Sequence, residues 1–181
     1  LTVAQVVGAT LILGHVGDSR AYLLRDGELN QLTADHSWIA EQIAQGVVSP
    51  EAARSHPNRN LITRAIGIGN TVETDTLEIG LREKDVLLLC SDGLHGLVDD
   101  DEIAAVLREN QPLPAAEALV DRANGKGGND NITVVVAGLE RLSNNTDAVK
   151  RPADLESAET QLPTSTRNSN RSWFKRLFGR R

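Results

Sequence analysis

The chain has 181 residues, 40% hydrophobic but only 3% aromatic, with a formal charge of −6 at neutral pH. This length suits one domain, with a core of Val, Ile, Leu and Ala that favours an α/β or α+β fold. The charge is uneven: residues 1–141 hold 21 acids against 11 Lys and Arg, and residues 142–181 hold 4 against 8. An acidic domain, poorly suited to nucleic acid, is therefore followed by a basic tail. A lone cysteine, Cys90, excludes an internal disulfide. Its apolar setting makes it a buried side chain and suggests a reducing, cytoplasmic compartment. No leader pattern and no apolar run of ~20 residues occurs. With no methionine in the chain and Leu1 opening directly into a strand pattern, the sequence is expected to be a fragment.

Residues 2–7 and 10–17 are short Val/Ile/Leu-rich runs parted by a glycine turn, and RAYLL is parted from ELNQL by Asp26-Gly27. Asp-Gly between apolar runs predicts a hairpin, since both turn positions accept positive φ. The opening therefore reads as an antiparallel meander. From Thr33 the period becomes helical, with capping residues at the start and a stop at Gly46. Ser49-Pro50 starts a second short helix.

The segment HPNRNLITRAIGIGN is rich in turn formers and reads as irregular, leading into the strand TDTLEIGL. DVLLLCSD is a continuous apolar strand, buried on both faces. DDDEIAAVLREN is a helix with acids in its first turn, where they meet the positive end of the helix dipole. LPAAEALVDRANGKGG is a further helix, and NITVVVAGL the last strand. After Leu142 the composition turns to Ser, Asn, Thr and Pro, so residues 142–170 are expected to be a disordered linker. Residues 171–181, RSWFKRLFGRR, place Trp173, Phe174, Leu177 and Phe178 with Lys175, Arg176, Arg180 and Arg181 around them. That is the pattern of a helix lying on an anionic membrane surface, with a solvated basic end as the plain alternative.

Three aspartates share one context: Asp18 in HVGDSRAYL, Asp92 in LLLCSDGL and Asp130 in GGNDNITVVV. Each stands at the edge of an apolar strand beside small residues. Taken singly each reads as a turn former. Carboxylates converging at strand ends repel one another unless a cation neutralises them, and hard divalent ions take such oxygen ligands. His15, His36, His56 and His95 are badly spaced for zinc and read as structural, with His95 nearest the proposed site.

GHVGDSRAYLLRDGELNQLTADHS, NLITRAIG, LLLCSDGLHGLVDDDEI and GGNDNITVVV resemble, in order, four blocks of the metal-dependent protein phosphatases, the type 2C serine/threonine phosphatases, in their bacterial style. The resemblance covers residues 1 to about 141. It implies an α+β fold, a four-layer α-β-β-α sandwich of two antiparallel sheets flanked by helices, here incomplete at its N-terminus. It also implies two or three Mn²⁺ or Mg²⁺ ions and hydrolysis of phosphoserine and phosphothreonine in kinase-modified proteins by a metal-activated water.

Asp92 and Asp130 match ligands of one core metal, and Asp18 matches a residue associated with a weaker third ion. Ser19 and Arg20 match structural positions, and Ser37 to about Ile62 match the flap bordering the substrate cleft. No catalytic residue beyond the metal ligands is assigned. Gly96 stands where many relatives carry an acid. The family's glycine-rich acidic block and phosphate-gripping arginine have no match after Leu1, so the fragment is expected to be inactive alone. The alternative is a non-catalytic, phosphatase-like binding module. The expected location is cytoplasmic, with peripheral membrane attachment through the tail.

Overall fold

The computed structural model describes residues 1–53 and 56–141. The linker and tail expected at 142–181 lie outside the described residues. Seven strands form two antiparallel sheets. The first has the order β1 (Thr2–Val7), β2 (Thr10–His15), β5 (Asp75–Gly80). The second has the order β4 (Glu28–Gln31), β3 (Arg20–Arg25), β6 (Val86–Cys90), β7 (Val134–Gly138).

The two predicted hairpins are present, but the expected single meander is not. β1 and β2 pair in one sheet and β3 and β4 in the other, so the chain changes sheets between His15 and Arg20. Hairpin patterning specifies local pairing only. Which sheet a hairpin joins depends on where its apolar face finds a partner. The turn of the second hairpin has positive φ at both Asp26 (52°) and Gly27 (82°), as a primed two-residue turn requires.

Alternation along β3 divides its side chains between two cores. Ala21 and Leu23 face the first sheet and pack with Leu11, Leu13, Ile79, Leu81 and Leu87. Tyr22 and Leu24 face the opposite way, where Leu88 and Cys90 of β6 meet a layer of helices. That layer comprises α3 (Asp92–His95), α4 (Asp100–Glu109) and α5 (Pro112–Gly125). It contributes Leu94, Ile103, Val106, Leu107, Ala115 and Leu119 to the core. Sheet, sheet and helices thus give the α-β-β layers of the expected sandwich. β6 lies between β3 and β7, as its continuous apolar run predicted.

Cys90 is buried, and burial pushes its thiol up to about 12, so it is an inert core side chain. The segment expected to form the flap opens with α1 (Trp38–Ala44), whose N-cap Ser37 accepts a hydrogen bond from Ala40 N, and continues into α2 (Pro50–Ala53). Its two ends are tied by a bridge between Ser37 and Ile62 and by Trp38 N donating to Leu61 O at 2.8 Å.

A candidate metal centre at one end of the sheets

Three chain segments meet beyond the C-terminal end of β6. Asp92 opens α3 immediately after the strand. This four-residue helix is absent from the sequence expectation because it is too short to show a helical period. Ser91 joins α3 to the Asp130 loop: its Oγ donates to Asn131 O at 2.9 Å and accepts from Thr133 N at 3.0 Å. Its own N–H donates to Thr133 O at 3.0 Å. The approach is so close that a Cβ on Gly93 would stand 2.5 Å from Asn131 O. Glycine is required there by contact and not by turn geometry.

The Asp18 turn is held from the other side. His95, at the end of α3, lies with Nε2 3.0 Å from Asp18 O. A carbonyl only accepts, so Nε2 carries the proton and donates. Burial first, then the neighbouring Arg20, hold this imidazole below its ordinary value. Gly17 reaches φ 115°, a backbone region closed to residues with a Cβ, and this turns the chain into Asp18. Arg20 grips Asp35 through Nε and Nη2, with the shortest contact 2.7 Å, and donates from Nη1 to Tyr22 Oη at 2.9 Å. Its structural assignment agrees with this geometry.

The charges of Asp18 and Asp130 reach Asp92. The Asp92 carboxyl is pushed above its ordinary value, first by partial burial and then by the negative charges of Asp18 and Asp130. His95 and the Gly93 N–H pull weakly the other way. Locally, Asp92 Oδ1 accepts from Gly93 N at 3.0 Å and Asp130 Oδ1 from Asn131 N at 2.7 Å. These are turn-type contacts that leave the other carboxylate oxygen of each residue outside the bond. Asp92 and Asp18 are half-buried and Asp130 is exposed.

An all-oxygen donor set of this kind fits Mn²⁺ or Mg²⁺ and not zinc. Among the described residues, no group of three or more His, Cys, Asp or Glu is arranged to hold a metal ion by itself. Asp92 therefore feels the charges of Asp18 and Asp130, while the three carboxylates form no closed ligand cage among the described residues.

Residues whose role the sequence did not disclose also gather here. His36 accepts from Gly17 N at Nδ1 (3.0 Å) and contacts Asp75 Oδ2 from Nε2 (3.1 Å). Arg64 donates to Asp75 Oδ1 at 2.7 Å. The only available sequence signal was the position of His36 immediately before the N-cap Ser37.

Fold and site together define a two-sheet protein with a carboxylate-lined sheet end suited to hard cations. The chain belongs to the protein phosphatase 2C family, whose model matches residues 1–42. It is 38% identical over 149 residues to serine/threonine phosphatase stp of Listeria welshimeri, covering 82% of this chain and 59% of that protein. It is 44% identical over 137 residues to serine/threonine protein phosphatase PstP of Mycobacterium tuberculosis, covering 76% of this chain and 26% of that one.

Among solved structures, the M. tuberculosis serine/threonine phosphatase PstP/Ppp matches with a TM-score of 0.74 at 44% identity, covering 77% of this chain and 59% of that chain. The catalytic domain of a PstP crystallised in complex with two manganese ions matches with a TM-score of 0.71 at 40% identity, covering 77% and 58%. The chain spans about 59% of the length of the Listeria relatives it matches.

Proposed function

We propose that this chain is the carboxylate-bearing portion of a metal-dependent serine/threonine protein phosphatase, with Asp92 and Asp130 holding one cation and Asp18 serving a further one. The observation that carries the proposal is the raised Asp92 carboxyl, crowded by Asp18 and Asp130 at a sheet end with no cationic side chain bonded to it in the contacts described. A carboxylate that is partly buried and faces further negative charge is stabilised by a divalent ion bound beside it. Similarity to the stp and PstP phosphatases, and the manganese complex of a PstP catalytic domain, support the same chemistry.

Asp92 and Asp130 would hold one divalent cation and Asp18 another, and such ions would acidify a water towards a nucleophile at neutral pH and offset charge on the phosphoryl oxygens. The chain's own part is to aim the carboxylates. Ser91 fixes the Asp130 loop to α3, Gly93 lets it approach, and His95 holds the Asp18 carbonyl. The substrates are phosphoserine and phosphothreonine in kinase-modified proteins, and the flap from Ser37 to Ile62 borders the cleft that receives them. These 181 residues alone are expected to be inactive or nearly so, because the described carboxylates do not close a ligand set.

Calorimetric titration with Mn²⁺ tests the reading. Heat that disappears in Asp92→Asn is expected; a wild-type chain giving no heat would instead favour the non-catalytic binding module. Hydrolysis of a phosphothreonine peptide with Mn²⁺, compared with the longer natural protein, tests the expected near-absence of turnover.

A further inference from the structure

We propose that His36 is a positioning residue that couples the flap to the Asp18 turn, its two ring nitrogens serving as the two ends of the link. The chain enters the flap directly after His36 and leaves it at Thr63, whose N–H donates back to His36 O at 2.9 Å. His36 N donates to Gly17 O at 2.8 Å, and Gly17 N returns the bond to the His36 ring at Nδ1. Gly17 and His36 are thus bonded in both directions, one residue before Asp18 and one before the flap.

The ring's protonation pattern follows from its partners. An amide N–H can only donate, so Nδ1 offers its lone pair and the proton sits on Nε2. There it donates to Asp75 Oδ2. Arg64 Nη1 lies 3.0 Å from the same Nε2. Two donors this close are tolerated because Asp75 accepts from both, Oδ2 from His36 and Oδ1 from Arg64.

The Asp75 carboxyl is partly buried, which raises it, yet it is held below its ordinary value by hydrogen bonds from His36 and Arg64. Arg64 follows Thr63 at the flap's exit, and Asp75 begins β5. The ring therefore joins three separate pieces: the turn before Asp18, the exit of the flap and the edge of the first sheet. The His15 ring packs beside it, tilted by 38° with centroids 4.8 Å apart. His36 itself is only 7% exposed.

This arrangement has a directional consequence. Opening the flap by breaking its Ser37–Ile62 and Thr63–His36 pairs shifts Arg64 away from Asp75, frees Nε2 and loosens Nδ1 from Gly17. By reciprocity, an Asp18 turn held in place favours the closed flap. The functional meaning rests on Asp18 as a cation ligand. The coupling itself is a property of the protein without cation or substrate, and it is tested in that state.

The experiment is amide hydrogen exchange on the metal-free 181-residue chain. Asp75→Ala, at a half-exposed position that touches neither Gly17 nor Thr63, is expected to speed exchange at Thr63 and Trp38. It should also speed exchange at Gly17 by roughly fivefold or more, the usual lower range of a coupling factor. Leu88, in the middle of the second sheet, should keep its rate. His36→Gln retains a donor near Nε2 but no acceptor near Nδ1, and should expose Gly17.

His36→Asn retains an acceptor near Nδ1 and loses the Asp75 link, so adding Asp75→Ala to it should leave Gly17 unaltered. Two results would overturn the proposal: Gly17 unmoved by Asp75→Ala while Thr63 accelerates, or all amides including Leu88 accelerating together. The first removes the coupling, and the second reduces these residues to general stability. Neither outcome depends on whether the protein is a phosphatase.

Discussion

Asp85 and Asp92 stand at opposite ends of the same strand, one residue before β6 begins and two after it ends, and their surroundings are built on opposite principles. Asp85 is 1% exposed and fully answered. Arg25 Nε reaches Oδ1 at 2.9 Å and Nη2 reaches Oδ2 at 2.6 Å, and the Arg82 N–H adds 2.7 Å to Oδ2. In return, the Asp85 hydrogen bond holds the Arg25 guanidinium above its ordinary value. Asp92 is less buried but faces two further carboxylates, and its carboxyl is pushed up by burial and by their charge. A buried-edge acid with its own cation built in is a fastener. An acid facing other acids with no cation bonded to it is, on the proposed function, a place for a divalent ion.

The sharpest way to break this contrast is at the fastener. Asp85→Ala leaves Arg25 without its partner in a mostly buried place, and is expected to cost about 3–5 kcal/mol in chemical denaturation. A loss well under 1 kcal/mol would mean that Asp85 is no more structural than Asp92.

The opposite end should respond to metal. Mn²⁺ at a hundredfold excess over its dissociation constant is expected to stabilise the wild type by about 2.7 kcal/mol, read as a rise in Tm. Asp92→Asn should abolish that gain. Without metal, the same variant should be more stable than wild type by about 0.5–1 kcal/mol at neutral pH, since it removes a repelled charge at a site tuned for function.

Gly93→Ala probes the close approach on which the site depends. A methyl 2.5 Å from Asn131 O forces the Asp130 loop away from α3. The expected loss is about 1–3 kcal/mol, with weaker Mn²⁺ binding in calorimetry. Unchanged binding would separate the loop contact from the site.

The smallest effect concerns protons. Burial first, then His36, hold His15 below its ordinary 6.5. The folded chain therefore binds fewer protons than the unfolded chain in the window below that value. Stability is full above about pH 6.5 and falls as the pH drops through the window, by at most about 1.4 kcal/mol per pH unit for one proton. Denaturation midpoints at pH 7.5 and 5.5 should differ, and His15→Gln should narrow the difference.

Much of the fold was legible because its signals are local. Asp26-Gly27 announced a hairpin, Ser49 announced a helix start, and the apolar run before Asp92 announced an interior strand, while the helical segment read from Thr33 begins only at Trp38, after its N-cap Ser37. The three aspartates proposed as ligands drew notice in the sequence for a related reason: a carboxylate directly beside a buried strand is costly, and the cost is visible in the sequence. The short helix α3 and the division of two hairpins between two sheets were not. Four residues carry no period, and sheet membership is a long-range choice.

By itself, then, the sequence determined which residues carry charge at strand ends and which segments bury their apolar faces, since neighbouring side chains and backbone preference decide both. Only the tertiary structure decided that Asp85 would be answered by Arg25, sixty residues away, and that Asp92 would instead lie within reach of the charges of Asp18 and Asp130. It also decided that His36 would lie between Gly17 and Asp75. Charge and hydrogen-bond partnership depend on distances of a few ångströms, which the folding of distant segments sets and no local pattern encodes.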